Sequence, residues 1–433
     1  ALAGVMEAEA AALCAELRAA VEQRDADLAG SNGKKRRLHL QRILLEESIQ
    51  GSDELSDARK EGLVQELASS SRGLKVGQAS HYLPAGLAHA ESLFRLLSLF
   101  FLALFLAICT PIFAWASMLA EASSFSAPVS RRKSSETNRS CPTFAVVLAK
   151  VTSRLCGLSV RVTSDVATPA PEEEALVHIF NHESGLDPFV LAASTVGPTP
   201  LFVAKHELFY IPIFAHLLVA YGVVPLRRGK REQAVSALAK AADIVDGTKK
   251  PLFIAGEGTR TRNGLLLPLK KGPFHVQEQL CTAIQPIIVY GPYELMPGGS
   301  LAGVPGRVVV RYLERIPFDA TRSRDDTRKL TERRMLQAVT ERPPEAATPP
   351  TWADVGHQIT LSCLCGAGFA GLLYVASILA HQLGTTTAVL CFAYLGAVVA
   401  TTPLQYVLYV RYLYGSARAR RKSGTELHKV APK

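Results

Sequence analysis

Apolar and polar positions alternate in three ways along the 433 residues. Residues 1–90 mix Ala and Leu with Glu, Arg and Lys, and Ala8 to Leu28 reads as a helix carrying scattered charges. This stretch is expected to be a polar, partly helical N-terminal tail, with the basic run Lys34-Lys35-Arg36-Arg37 solvated or docked on anionic lipid or a partner. From about Cys141 to Arg342 short apolar runs alternate with longer amphipathic ones. The strand candidates are Ala175 to Phe180, Leu201 to Ala204, Val223 to Leu226, Leu252 to Ala255, Ile287 to Tyr290 and Val308 to Leu313. Helices are expected at Pro188 to Ala193, Glu207 to Tyr221, Glu232 to Val245 and Phe274 to Leu280. That order predicts an α/β domain, helices flanking a central sheet, over residues 141–342.

Two further stretches are apolar throughout. Leu96 to Ala120 has no charged residue and is long enough to cross a hydrocarbon core of roughly 30 Å. Pro111 interrupts it, so the anchor expected over 91–120 is either a single span or a re-entrant pair of short helices. Arg95 before it and Arg131-Arg132-Lys133 after it favour the re-entrant form, with both ends on the cytoplasmic side. After a Pro-, Ala- and Thr-rich linker at 343–354, residues 355–410 lack Asp, Glu, Lys and Arg. They predict a transmembrane helical hairpin, about Ile359 to Ala380 and Thr386 to Val410, followed by a basic cytoplasmic tail at 411–433.

The formal net charge is +10 and the pI about 9.2. Beside such apolar segments, a basic balance points to anionic membranes and phosphorylated substrates. No helix-turn-helix, zinc-finger or aromatic RNP pattern is present, so nucleic acid is not an expected partner. The eight cysteines are scattered without C-x-x-C spacing, so no metal site is expected and the thiols read as free. The absence of a G-x-S-x-G turn argues against a serine hydrolase.

The candidate chemistry sits in two runs. Asn181-His182-Glu183-Ser184-Gly185-Leu186-Asp187 follows the first strand candidate and sets an imidazole and a carboxylate five residues apart, as a general base with an orienting acid requires. Gly256-Glu257-Gly258-Thr259-Arg260 follows a later strand and puts a guanidinium on a glycine-containing turn, aimed at an anion. Ser184 is expected to steady the turn rather than act as a nucleophile.

Between and after these runs stand Ala204-Lys205-His206-Glu207-Leu208, Val223-Val224-Pro225-Leu226-Arg227-Arg228, Lys270-Lys271-Gly272-Pro273-Phe274 and Pro286-Ile287-Ile288-Val289. This ordered set resembles the glycerolipid acyltransferases, which include the 1-acyl-sn-glycerol-3-phosphate (lysophosphatidic acid) acyltransferases. The resemblance covers about Leu176 to Leu313. It implies the fold of that family and acylation of the sn-2 hydroxyl of lysophosphatidic acid by acyl-CoA. His182 would be the general base and Asp187 its orienting partner. Arg260 and Arg228 would bind the acceptor phosphate. Gly258 and Thr259 would shape the turn, and Glu257 would fix the loop or contact glycerol. Lys205 and Lys271 are further substrate-binding candidates, and Pro286 to Val289 would wall the acyl channel.

No metal or redox cofactor is implied; acyl-CoA enters as the acyl-donor substrate. The alternatives are acylation of another lysophospholipid or of glycerol-3-phosphate, or a silent lipid-binding membrane scaffold. The expected setting is an integral membrane protein of the endoplasmic reticulum with a cytoplasmic catalytic domain, a plastid or other organelle being the alternative. The family usually carries Phe-Pro before its Glu-Gly-Thr-Arg block, where this chain has Ala255-Gly256, and a polar residue where this chain has Arg227. Those departures bear on the acceptor head group.

Overall fold

The computed structural model describes residues 2–22, 28–78, 144–166, 176–195, 200–212, 214–220, 223–227, 231–248, 250–298, 305–343 and 352–429, with 111 and 346. The anchor expected at 91–120 therefore lies outside the described residues, apart from Pro111.

Seven strands form one mixed sheet in the order β1-β7-β6-β2-β5-β3-β4. They are β1 (Leu158–Ser164), β2 (Val177–Phe180), β3 (Leu201–Lys205), β4 (Val224–Leu226), β5 (Leu252–Ala255), β6 (Ile284–Tyr290) and β7 (Gly306–Tyr312). The central strands β2, β5 and β6 are mostly Ile, Val, Leu and Phe, with His178 and Gln285 among them, and are buried on both faces as central strands of such a sheet require. β2 pairs in parallel with both β5 and β6, and β3 pairs in parallel with β5 and β4. Among the described strands the β6–β7 pairing alone is antiparallel, and an isolated antiparallel bridge joins Ile284 of β6 to Ile316. β1 is an edge strand in which Leu158, Val160 and Val162 alternate with Ser159, Arg161 and Thr163, a half-buried strand pattern that a reading for continuous apolar runs passes over.

Helices cover the sheet: α4 (Phe144–Leu155), α5 (Asp187–Ser194), α6 (Phe214–Ala220), α7 (Arg231–Thr248), α8 (Gly272–Leu280), the single turn α9 (Pro292–Leu295) and α10 (Arg324–Thr340). The helix expected over Glu207 to Tyr221 is split. A 3-10 turn takes His206–Tyr210, Pro212 stands at the break, and α6 follows. 

The N-terminal segment is more ordered than a polar tail. It forms α1 (Leu2–Glu22), α2 (Leu28–Gly51) and α3 (Asp57–Ser70). Ala10, Leu13, Cys14, Leu17 and Ala20 make an apolar stripe on α1 at helical spacing. They share a core with Leu38, Leu45 and Ile49 of α2, Leu63 and Leu67 of α3, and Leu265 and Tyr293 of the α/β domain. The basic run is only half in solvent: Lys35 and Arg36 are buried, Lys34 and Arg37 exposed. The docking is also polar. His39 Nε2 donates to Leu266 O at 3.0 Å, Val76 N donates to Asn263 O at 2.8 Å, and Arg333 of α10 pairs with Glu47 at 2.6 Å.

Two buried histidines make the fold sensitive to acid. Burial lowers His39 to about 4 and His178, stacked on Phe253 at 4.4 Å, to about 3. In the unfolded chain both take up a proton near pH 6.5, while the folded protein keeps them neutral. The unfolded state therefore binds more protons below pH 6.5, and stability falls as pH drops through that window. The thermal midpoint should fall between pH 7 and pH 5, and His39→Gln, which keeps an N–H donor for Leu266, should reduce the drop. An identical drop in the variant would remove His39 from the account.

At the C-terminus α11 (Trp352–Gln382) and α12 (Thr387–Lys429) form a helical hairpin. Segments Ile359–Gln382 and Thr387–Tyr409 are long and apolar enough to cross a membrane. Their apolar side chains face outward: Tyr374 is 69% and Phe392 74% exposed. α11 begins inside the expected linker, and α12 runs on as helix through the expected basic tail to Lys429. The α/β end of α12 is seated on the domain. Tyr409 Oη donates to Val223 O at 2.9 Å, and Phe209 packs against the rings of Tyr406 and Tyr409.

Candidate active site

Parallel neighbours deliver the two sequence runs to the same end of the sheet. Phe180 and Ala255 are paired at the ends of β2 and β5, so His182 and Glu257 both lie two residues beyond that pair. The carboxyl ends of such strands are where open α/β sheets bind ligands.

The loop after β2 is closed by Asp187, the first residue of α5. Its Oδ2 meets His182 Nδ1 at 2.7 Å and accepts the N–H groups of Glu183 at 2.7 Å and Ser184 at 2.9 Å. Asp187 is fully buried and the His182 side chain 18% exposed. One carboxylate oxygen thus folds the turn and orients the ring, and the Nδ1 bond leaves Nε2 as the nitrogen free to take a proton. Ser184 is fully buried, and its Oγ accepts from Leu186 N at 3.2 Å, a turn-holding role.

The loop after β5 grips the same backbone. Glu257 Oε1 accepts His182 N at 2.9 Å and Oε2 accepts Leu267 N at 3.0 Å. Thr261 N donates to His182 O at 2.9 Å. Burial pushes the Glu257 carboxyl up to about 8, against the pull of its two N–H donors. Glu257 is thus a clamp on the His182 backbone rather than an exposed glycerol contact. Gly258 takes φ +68°, a left-handed conformation that suits glycine. Thr259 and Arg260 are exposed. Arg260 lies against the His182 loop: a Cβ built on Gly185 would stand 3.5 Å from Arg260 Nη1.

Gly256 has a steric reason to be glycine. A Cβ there would come within 2.7 Å of Leu269 Cδ2 and 2.8 Å of Ile179 Cγ2. Those two side chains occupy the room a larger residue would need. Gly256→Ala is expected to cost about 1–3 kcal/mol through overpacking and to lower activity by shifting Glu257. Unchanged denaturant midpoint and activity would show that Leu269 yields freely.

The other candidates are less closely assembled. Lys205 ends β3 on the same sheet edge, exposed and paired with Glu207 at 3.5 Å. Lys271 precedes α8 and pairs with Asp325 on α10 at 3.5 Å, which ties two helices together. Arg228 lies outside the described residues; its neighbour Arg227 is exposed just past β4.

Two residues carry structural roles not drawn from the sequence. Asn181 Nδ2 donates to Glu183 Oε1 at 3.1 Å and to Val289 O at 3.0 Å, and Asn181 Oδ1 accepts Val289 N at 2.7 Å. It stitches the His182 loop to β6. Glu183 Oε2 accepts Tyr293 N at 3.2 Å, tying the loop to α9. Both stand within the quoted motif, but their partners lie about a hundred residues away and no local pattern announces them.

Residues 160–290 match the acyltransferase family profile. An uncharacterized acyltransferase of Schizosaccharomyces pombe is 30% identical, the match covering 45% of this chain and 78% of that protein. The chain belongs to the acyltransferase family. Within the family, a chloroplastic 1-acyl-sn-glycerol-3-phosphate acyltransferase of Brassica napus is 33% identical over 29% of this chain and 35% of its own length. The crystal structure of the 1-acyl-sn-glycerophosphate acyltransferase PlsC from Thermotoga maritima is similar over 58% of this chain and 97% of that one, at 20% identity and a TM-score of 0.45. The chain thus spans about a third of the length of its plant relative.

Proposed function

We propose that this acyltransferase moves a fatty acyl group from acyl-CoA to the sn-2 hydroxyl of lysophosphatidic acid, giving phosphatidic acid. The observation that carries this reading is the 2.7 Å His182–Asp187 contact in a loop that lies against the Arg260 guanidinium. Relatives named for this acceptor support it.

In this reading His182 Nε2 takes the proton of the glycerol hydroxyl as its oxygen attacks the thioester carbonyl carbon. The buried Asp187 stabilises the imidazolium that results. Collapse of the tetrahedral adduct breaks the C–S bond. CoA leaves as thiolate and receives the proton from His182. A thiolate is a good enough leaving group that no acyl-enzyme is required. Arg260, exposed on its turn, holds the acceptor phosphate with a forked, charge-assisted contact. Arg227 past β4 and Lys205 at the end of β3 add positive charge at the carboxyl ends of their strands, and Arg228 remains a phosphate-binding candidate by its place in the sequence.

The two apolar helices anchor the protein in a phospholipid membrane, from which acceptor and donor chains both enter. The catalytic domain is assigned to the cytoplasmic face, most simply of the endoplasmic reticulum. Purified protein given oleoyl-CoA and a panel of lysophospholipids, glycerol-3-phosphate and monoacylglycerol tests the reading through CoA release and lipid product. Fastest turnover with lysophosphatidic acid is the expected result. No CoA release with any acceptor, or preference for an uncharged one, would overturn it.

A further inference from the structure

A buried charge cluster joins the N-terminal helices to the back of the catalytic loop. On α2 the buried residues Asn32, Lys35, Arg36 and His39 follow i, i+3, i+4, i+7 spacing, so a polar stripe of this helix enters the protein beside its apolar residues Leu38, Leu45 and Ile49. Arg36, 2% exposed, is at its centre. Its Nη2 lies 2.9 Å from Glu294 Oε1 and 3.8 Å from Glu183 Oε1. Arg342, just past α10, pairs with the same Glu294 oxygen and donates to Ala346 O at 2.6 Å. Two guanidinium and two carboxylate groups, contributed by four separate segments, thus meet out of water.

Glu183 is next in sequence to His182, and its own N–H is held by Asp187 Oδ2. Anything that moves Glu183 therefore moves the residue that folds the turn and orients the imidazole. Removing one partner of a buried charged cluster leaves the others uncompensated, and the remaining groups rearrange.

We infer that Arg36 is a positioning residue for the active site: α2 reaches across the chain to hold Glu183, and through it the His182–Asp187 turn, in working geometry. The N-terminal helices are on this account part of the catalytic apparatus rather than an appendage. The inference about turnover rests on the acyl-transfer reading; the inference about loop geometry does not.

The test uses the full-length protein in detergent, comparing wild type, Arg36→Met, Arg36→Lys, Glu183→Gln and the double variant Arg36→Met/Glu183→Gln. Arg37→Met is the control, since Arg37 is the exposed neighbour. In Arg36→Met, kcat should fall about 10- to 100-fold, the range a displacement of about 1 Å costs, while KM for both substrates moves less than about threefold. Hydrogen exchange should speed up in the peptide 181–187, where the amides of His182, Glu183 and Ser184 are now bonded to Glu257 and Asp187. Arg36→Lys should lie between, because one ammonium keeps the charge but not the fork. The double variant should be no worse than the poorer single one, the non-additivity expected of coupled groups. Additive losses, or unchanged exchange at 181–187, would overturn the inference. If Arg36→Met does not yield folded protein, Arg36→Lys carries both readouts. If wild type proves inactive, the exchange comparison alone decides.

Discussion

His182→Ala should abolish CoA release while leaving the protein folded and membrane-bound. The imidazole is partly exposed on a loop, so its loss opens no core cavity. On the proposed mechanism it removes the acceptor for the hydroxyl proton, a function worth about 10²–10⁴-fold in comparable reactions, and with it the group that returns the proton to the leaving thiolate. The fall in kcat should therefore reach at least the upper end of that range. Asp187→Asn should cost less through the ring, since the imidazole stays, but more through the turn. The Oδ2 atom accepts two backbone N–H groups besides the ring, and an amide rotated to place its NH2 there would face donors only. Asp187→Asn is thus expected to lower both kcat and thermal stability, whereas His182→Ala lowers kcat alone. Circular dichroism melts beside initial rates separate the two. An active His182→Ala enzyme would end the general-base account.

The legible and illegible parts of the chain divide on how local their signals are. Six of the seven strands could be placed from apolar runs, because burial on both faces keeps most of their residues apolar, His178 and Gln285 being buried exceptions. β1 escaped because its apolar residues alternate with polar ones instead of forming a run, and α10 because charged residues cover most of its turns. The His182 and Arg260 loops were legible as motifs since spacing within a turn determines which atoms can meet: Asp187 can close on His182 and Ser184 only from three to five residues away. Long-range pairings were not. Nothing at Glu183 announces Arg36, 147 positions upstream. The polar stripe on α2 looks like a solvated face until the partners that neutralise it are in view. A buried stripe of Asn, Lys, Arg and His reverses the ordinary inside–outside rule, and a reader of the sequence would need to treat helical periodicity of polar residues as a possible burial signal.

Arg260→Ala should separate acceptor binding from donor binding. The guanidinium is exposed on the turn after β5, lies against Gly185 of the catalytic loop, and has its backbone neighbour Thr261 bonded to His182 O. A phosphate seated on it would stand beside the imidazole, with the glycerol hydroxyl reaching toward Nε2. A hydrogen bond to a charged group contributes about 1.5–3 kcal/mol, so KM for lysophosphatidic acid is expected to rise about 10- to 100-fold. KM for acyl-CoA should change little, because its thioester needs no phosphate contact at this turn. Arg260→Lys should recover part of the loss, since a lysine keeps the charge but not the fork. The sharper readout is selectivity: the preference for lysophosphatidic acid over monoacylglycerol, which has no phosphate, should shrink by about the same factor as the KM rises. If the variant weakens both substrates equally, or leaves the ratio between charged and uncharged acceptors where it was, Arg260 is holding the turn rather than the phosphate. The positive end of the sheet at Arg227 and Lys205 would then be the place to look for the head-group site.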